Sequence, residues 1–229
     1  MHCAICVYHL SVSFAHVLFV DLRAALFVYL FLDKRHGLMA GRQAKILSPD
    51  NHHDLLVFAG CTRNPLRNRV LVLLSAKAGL RAGEIANLTW NMVTDAEGRI
   101  SGLIELLDHA AKKCSGRSIP LHPELAAALA EWRLVAPQAD HVIASQRGGP
   151  MRSLSVVVWF NRAFTSIGLK GCSSHSGRRT FVTRAARLLH RTGGSLRDVQ
   201  LLAGHRSIQT TQRYIDGDTD AQRKLVSLI

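Results

Sequence analysis

Between Thr94 and Leu121 the chain abandons the helical period that governs most of its length, and this one interruption constrains the fold more than any other feature. Thr94-Asp-Ala-Glu-Gly98 is turn chemistry, Leu103 to Leu107 is a compact apolar run, and Arg117-Ser-Ile-Pro-Leu121 reads as a second short strand. The stretch from Lys112 to Gly116 then predicts a β-turn region between two paired strands. On either side the text is helical. Ser48 to Ala59 opens with a capping Ser and Pro49 in the first turn. Pro65 to Lys77 follows, with Leu71, Leu73 and Leu74 as its core stripe and Gly79 placed to end it. Arg81 to Leu88 is a short helix with Ile85 and Leu88 inward. Past the strands, Pro123 to Val135 is amphipathic and rich in Ala and Leu, His141 to Ala144 reads as a brief strand, and Gly148-Gly149-Pro150 breaks the chain. Helices are expected over Leu154 to Ile167, Ser176 to His190, Leu196 to Ala203 (capped by Ser195) and Ile208 to Ile215, with a weakly helical segment from Asp220 to Leu228. The expected fold class is mainly α with a small antiparallel β-sheet (α+β).

A chain of 229 residues with 48% hydrophobic and 20% charged residues buries a core without staples, which excludes wholesale disorder. The five cysteines (Cys3, Cys6, Cys61, Cys114, Cys172) are odd in number and scattered, so no disulfide scaffold is expected. Cys3-x-x-Cys6 has no second Cys or His pair at zinc spacing, and no metal site is expected there. Residues 1–38 are unlike the rest: two apolar runs are split by Asp21 and Arg23, and three histidines dilute the first. They form neither a convincing span nor a signal peptide. Met39 reads as the working start, so the expected division is an atypical extension over 1–38 and one domain over 39–229. A membrane role would rest on residues 1–32 alone and is not expected.

The formal net charge is +13, and residues 1–38 contribute only one unit of it. Such an excess predicts attraction to a polyanion, nucleic acid first. Four short stretches then share one theme, phosphate chemistry without a metal. In Ala78-Gly-Leu-Arg81-Ala-Gly-Glu84, an arginine at the mouth of a helix can offer its fork to a phosphate, with Glu84 as a brace. In His175-Ser-Gly-Arg178, an imidazole and a guanidinium three apart share a helical face. In Leu201-Leu-Ala-Gly204-His205, a Gly-His pair at a helix end precedes a helix that finishes at Tyr214. A tyrosine is a poor nucleophile at its free pKa of about 10, and cationic neighbours would stabilise its phenolate. In Lys112-Lys113-Cys-Ser-Gly-Arg117, a lysine on the turn can donate a proton to a leaving alkoxide. Taken singly, each is also what a solvated helix start, basic face, turn or helix rim would show.

Taken together, "AGLRAGEIANLTW" (78–90), "HSGRRT" (175–180) and "LLAGHRSIQTTQRY" (201–214) resemble the tyrosine recombinase (phage integrase) family over most of residues 45–217. The resemblance implies that Arg81 and Arg178 are the arginines clamping the scissile phosphate. It makes Lys112 the hairpin lysine, with Lys113 the alternative. His175 would assist proton transfer, His205 would hydrogen-bond the phosphate, and Tyr214 would attack to give a 3′-phosphotyrosine and a 5′-hydroxyl, with no cofactor, metal or ATP. Departures from the family pattern are Gly177 before Arg178, Arg179 where a second histidine is common, and extra length at "LLHRTGGS". They predict a less firmly seated Arg178 helix. The N-terminal clamp domain usual in the family has no counterpart between Met39 and Arg81, so weak or partner-dependent DNA binding is expected.

The expected function is therefore site-specific DNA recombination or integration by a strand transferase associated with a mobile element. Its partners would be double-stranded DNA, further copies of the chain in a tetrameric synapse with Asp216 to Ile229 docking on a neighbour, and accessory DNA-bending proteins. Its place would be the cytoplasm, on the nucleoid. Alternatives are a non-catalytic DNA-binding remnant and a type IB topoisomerase-like relaxing enzyme.

Overall fold

Proline and polar caps set where the helices begin. In the computed structural model, which describes residues 44–111, 115–136, 139–145, 147–214, 222–223 and 226–229, helix α1 (Pro49–Gly60) starts behind Ser48. The Ser48 hydroxyl accepts the Asn51 N–H at 3.0 Å while Asn51 Oδ1 accepts the Ser48 N–H at 3.4 Å, satisfying two of the helix's orphan donors. Proline also opens α2 (Pro65–Lys77). The readings made for residues 1–38, for Lys112 and Lys113, for Cys114 and for Asp216 to Asp220 fall outside the described residues.

Helix α2 is the axis of the body, and here the expectation of a three-leucine stripe was too narrow. The whole run Val70-Leu-Val-Leu-Leu-Ser75 is fully buried. The reason is that α1, α3 (Ala82–Asn87), α4 (Pro123–Val135) and α6 (Ser176–Thr192) all pack on it, and a run covered by four neighbours needs no polar face. Gly79, at φ +64°, turns the chain out of α2 so that the Leu80 N–H reaches the Leu74 carbonyl at 3.1 Å. Arg81 is thereby delivered to the start of α3.

After a 3₁₀ turn (Trp90–Met92) come β1 (Leu103–Leu106) and β2 (Arg117–Pro120), antiparallel with Ile104 opposite Ile119 and Leu106 opposite Arg117. Period-two alternation puts Ile104, Leu106 and Ile119 inside. Arg117, two residues before Ile119, lies on that same inward face. His141 to Ala144 makes isolated bridges to Thr89 and Pro150 rather than a strand. Its buried Val142 and Ile143 are held one backbone bond at a time, Val142 N–H to the Leu88 carbonyl and Met151 N–H to the Ile143 carbonyl.

On the other side of the hairpin, α4 turns Leu125, Ala128, Leu129 and Trp132 inward, and Trp132 Nε1 donates to the Val142 carbonyl at 2.8 Å. Helix α5 (Ser153–Ser166) buries Val156, Phe160, Ala163 and Phe164. Helix α6 runs two residues past its expected end, absorbing part of the extra length before Gly193 closes it at φ +66°. Then α7 (Leu196–Ala203) and a short α8 (Ile208–Gln212) complete the order. Helix α8 stops at Gln212, short of the expected Ile215. Among the described residues no helix is long and apolar enough to cross a membrane, and no group of three or more His, Cys, Asp or Glu could hold a metal ion.

Candidate active site

Glu84 anchors the site. It is 1% exposed, and its carboxylate lies between two guanidiniums. Arg81 Nη1 donates to Oε1 at 2.6 Å, and the Arg81 N–H donates to Oε2 at 2.9 Å. From β2, Arg117 Nη1 and Nη2 donate to the same two oxygens at 3.2 and 3.0 Å. Burial acts to raise the Glu84 carboxyl, but the hydrogen bonds and charges of Arg117 and Arg81 outweigh it and hold the group below its ordinary value. The brace expected for Arg81 is present, and it is shared.

Arg178 enters from α6. It is 3% exposed, its Nη1 donates to the Gly79 carbonyl and its Nη2 to the Ala203 carbonyl, both at 2.6 Å. Burial first, and repulsion from Arg81 second, lower its pKa to about 10, so the guanidinium stays charged near neutrality. The expectation that Gly177 would loosen this helix is reversed. A Cβ at Gly177 would overlap the Ser75 hydroxyl, and it would lie 3.0 Å from Ser75 Cβ and 3.1 Å from the Ser75 carbonyl carbon. Glycine is what lets α6 approach α2 closely enough to seat Arg178. Three guanidiniums against one carboxylate leave Arg81, Arg117, Arg178 and Glu84 with a surplus of two positive charges, an arrangement suited to an anion.

Gly204 ends α7 in the left-handed region, at φ +61°, and throws His205 into the site. The turn is locked from both sides: the His205 N–H donates to the Gln200 carbonyl at 3.1 Å and Gln200 Nε2 donates to the His205 carbonyl at 2.9 Å. His205 Nδ1 pairs with Thr211 Oγ1 at 3.0 Å. Burial, then the charges of Arg178, Arg81 and Arg117, push its pKa down to about 4, so the ring is neutral near pH 7. The Tyr214 ring stacks on His205 with centroids 5.3 Å apart and planes at 23°. It also packs against the small apolar cluster of Val182, Val199 and Ala203.

Of the residues singled out in the sequence, Arg81, Arg178, His205 and Tyr214 thus come together in one place. His175 stands exposed as the N-cap of α6, while Arg178 on the same helix turns inward. Lys112 and its alternative Lys113 lie outside the described residues, although β2 begins five residues after Lys112. The participant that the sequence reading passed over is Arg117. Its signal was the strand period, since a charged residue two positions from a buried isoleucine on a half-buried strand needs an acidic partner inside.

Known proteins share the family and the fold of this chain. The phage integrase family model matches residues 45–220. Tyrosine recombinase XerC of Brucella suis is 29% identical over 158 residues, covering 67% of this chain and 47% of the relative. The chain spans about half the length of such curated relatives. The crystal structure of XerA recombinase superposes with a TM-score of 0.65 at 24% identity, over 82% of this chain and 66% of that one. A lambda integrase tetramer bound to a Holliday junction gives 0.58 at 21% identity, over 76% and 48%.

Proposed function

Because the chain belongs to the phage integrase family of tyrosine recombinases, we propose that residues 39–229 form a catalytic domain that breaks and rejoins DNA at specific sites through a covalent phosphotyrosine. The observation that carries this reading is the convergence of Arg81 with Arg178, His205 and Tyr214, which come from a distant part of the chain, around a surplus of positive charge.

The steps follow from these groups. Tyr214 Oη gives up its proton to water as it attacks the scissile phosphorus, the bond to the 5′-oxygen breaks, and the DNA 3′ end is left esterified to the tyrosine. The departing 5′-oxygen takes a proton, for which Lys112, between the two strands in sequence, and His175 at the start of α6 are the donors. Attack of a new 5′-hydroxyl reverses the step and frees Tyr214. Phosphoester energy is conserved in the intermediate, so resealing needs neither ATP nor a metal. As charge gathers on the non-bridging oxygens, Arg81 and Arg178 neutralise it. With the Thr211 hydroxyl donating to Nδ1, neutral His205 offers its Nε2–H as a further donor. Removing one such preorganised donor typically costs about 10²–10³ in rate.

The substrate is double-stranded DNA, and the net charge of +13 predicts backbone binding that weakens steeply with salt. The lambda integrase neighbour is a tetramer on its junction, and we extend to this chain the assembly of several copies on DNA, where accessory DNA-bending proteins would act. The test uses nicked duplexes cut from DNA flanking the chain's own gene, without added metal. A denaturant-resistant protein–DNA adduct is expected in the wild type and absent in Tyr214→Phe, with DNA binding retained in both. Binding without any adduct in the wild type would turn the reading toward a non-catalytic DNA-binding protein.

A further inference from the structure

We infer that Arg117 is a positioning residue for the strand-breaking step: it holds the Arg81 fork in register with the His205 turn and does not itself contact the phosphate. This rests on the recombinase reading above. Each of the three nitrogens of Arg117 donates inside the protein. Nη1 and Nη2 hold Glu84, and Nε donates to the Leu202 carbonyl at 2.8 Å, with the side chain only 6% exposed. Few side chains can grip a carboxylate with two nitrogens and a carbonyl with a third, and an ammonium cannot.

The two ends it joins matter. Arg178 ties Gly79 to Ala203, and Arg117 ties Glu84 to Leu202. Two guanidiniums, one from α6 and one from β2, therefore stitch the same two segments, the stretch that presents Arg81 and the turn that presents His205. Arg117 lies directly against that turn: a Cβ on Gly204 would sit 2.9 Å from its Nη1 and 3.0 Å from its Cδ. It also divides the work of neutralising Glu84. Without Arg117, the buried carboxylate would be satisfied by Arg81 alone, pulling the Arg81 donors away from a bound phosphate.

The experiment compares wild type, Arg117→Met, Arg117→Lys, Glu84→Gln and Arg117→Met/Glu84→Gln in the full chain. Each is followed by thermal unfolding, by DNA affinity, and by single-turnover adduct formation at saturating nicked duplex well below the unfolding midpoint. The expected result for Arg117→Met is a loss of about 10²-fold in the covalent step, the scale of a misplaced reacting group, with DNA affinity changed less than about threefold. Arg117→Lys, which keeps the charge but cannot span to Leu202, should recover little. Adding Glu84→Gln to Arg117→Met should cost little more, because both act through one carboxylate. A purely structural tie would instead lower the midpoint and leave the rate of the folded fraction intact. That outcome overturns the inference, as does strict additivity of the two losses. Should Arg117→Met fail to fold, the lysine variant decides alone: a wild-type rate refutes the proposal and a reduced rate at an unshifted midpoint supports it. A wild type that forms no adduct fells the recombinase reading itself, and this inference with it. A wild-type adduct matched by Arg117→Met fells only this inference.

Discussion

Replacing Gly177 by alanine tests whether the closeness of α6 to α2 builds the site. In an exposed helix the change would stabilise, since glycine costs about 1 kcal/mol relative to alanine. Here the added methyl would overlap the Ser75 hydroxyl and press on Ser75 Cβ and its carbonyl carbon at 3.0 and 3.1 Å. The backbone atom cannot rotate away, so the helices must separate. Overpacking of this kind costs about 1–3 kcal/mol, and part of the helix-propensity gain offsets it, leaving a net loss of about 1–2 kcal/mol. For a chain of this size that corresponds to a fall of about 2–8 °C in the unfolding midpoint. Urea denaturation and thermal unfolding of Gly177→Ala, Ser75→Ala and the double variant measure it. Ser75→Ala removes the worst contact and should return part of the loss, giving a favourable coupling in the double-mutant cycle. Since Arg178 follows directly, the covalent step should fall further than DNA affinity. A midpoint equal to or above wild type, or a double variant that merely adds the two single effects, would refute the claim that glycine is required for close approach.

Other expectations follow from the same geometry. Arg178→Lys cannot bridge the Gly79 and Ala203 carbonyls at once and should slow adduct formation by about 10²–10³ with DNA binding retained; a loss below tenfold in a quench-flow or gel time course speaks against it. Because His205 titrates at about 4 in the folded chain and near its ordinary 6.5 when unfolded, the unfolded state binds the extra proton between those values. Stability should therefore be flat above pH 7 and decline as pH drops from about 6.5 toward about 4. His205→Asn should remove that part of the slope, so identical urea-midpoint profiles for the two proteins over pH 4–7 would contradict the assignment. Gly204→Ala sets a Cβ both in a left-handed conformation and against Arg117, and it should lower stability by at least about 1–2 kcal/mol; an unchanged midpoint would show that the turn is not constrained as described.

Helix boundaries were legible because their signals are local. Ser48, Pro65 and Pro123 announce starts that hold to within a residue, and Gly79 an exit, since capping and proline geometry depend on immediate neighbours. The mixed helix-and-hairpin class was readable for the same reason. What proximity in space decides was harder to read. Nothing in "VLVLLS" says that four other helices will pack around it, so its full burial was not legible. Gly177 read as a weakness because its partner Ser75 lies over a hundred residues upstream. Arg117 was placed at the start of the second strand but given no part in the site, because its acid, Glu84, is on another element. Arg81, Arg178, His205 and Tyr214 were found as a set, through their order along the chain, before any distance between them was known.

The two guanidinium stitches also have a consequence for how the chain acquires its chemistry. Arg178 meets the Gly79 carbonyl across 99 residues, and Arg117 meets the Leu202 carbonyl across 85. Closing loops of that length carries an entropic toll of about 4 kcal/mol each before any contact repays it, so these junctions belong to the high-contact-order, late-forming part of the fold. The α1, α2 and α4 body can consolidate while the arginine fork and the histidine turn are still apart. Under the proposed mechanism a half-made chain has a core but no clamp, and folding itself serves as the safety catch on the tyrosine.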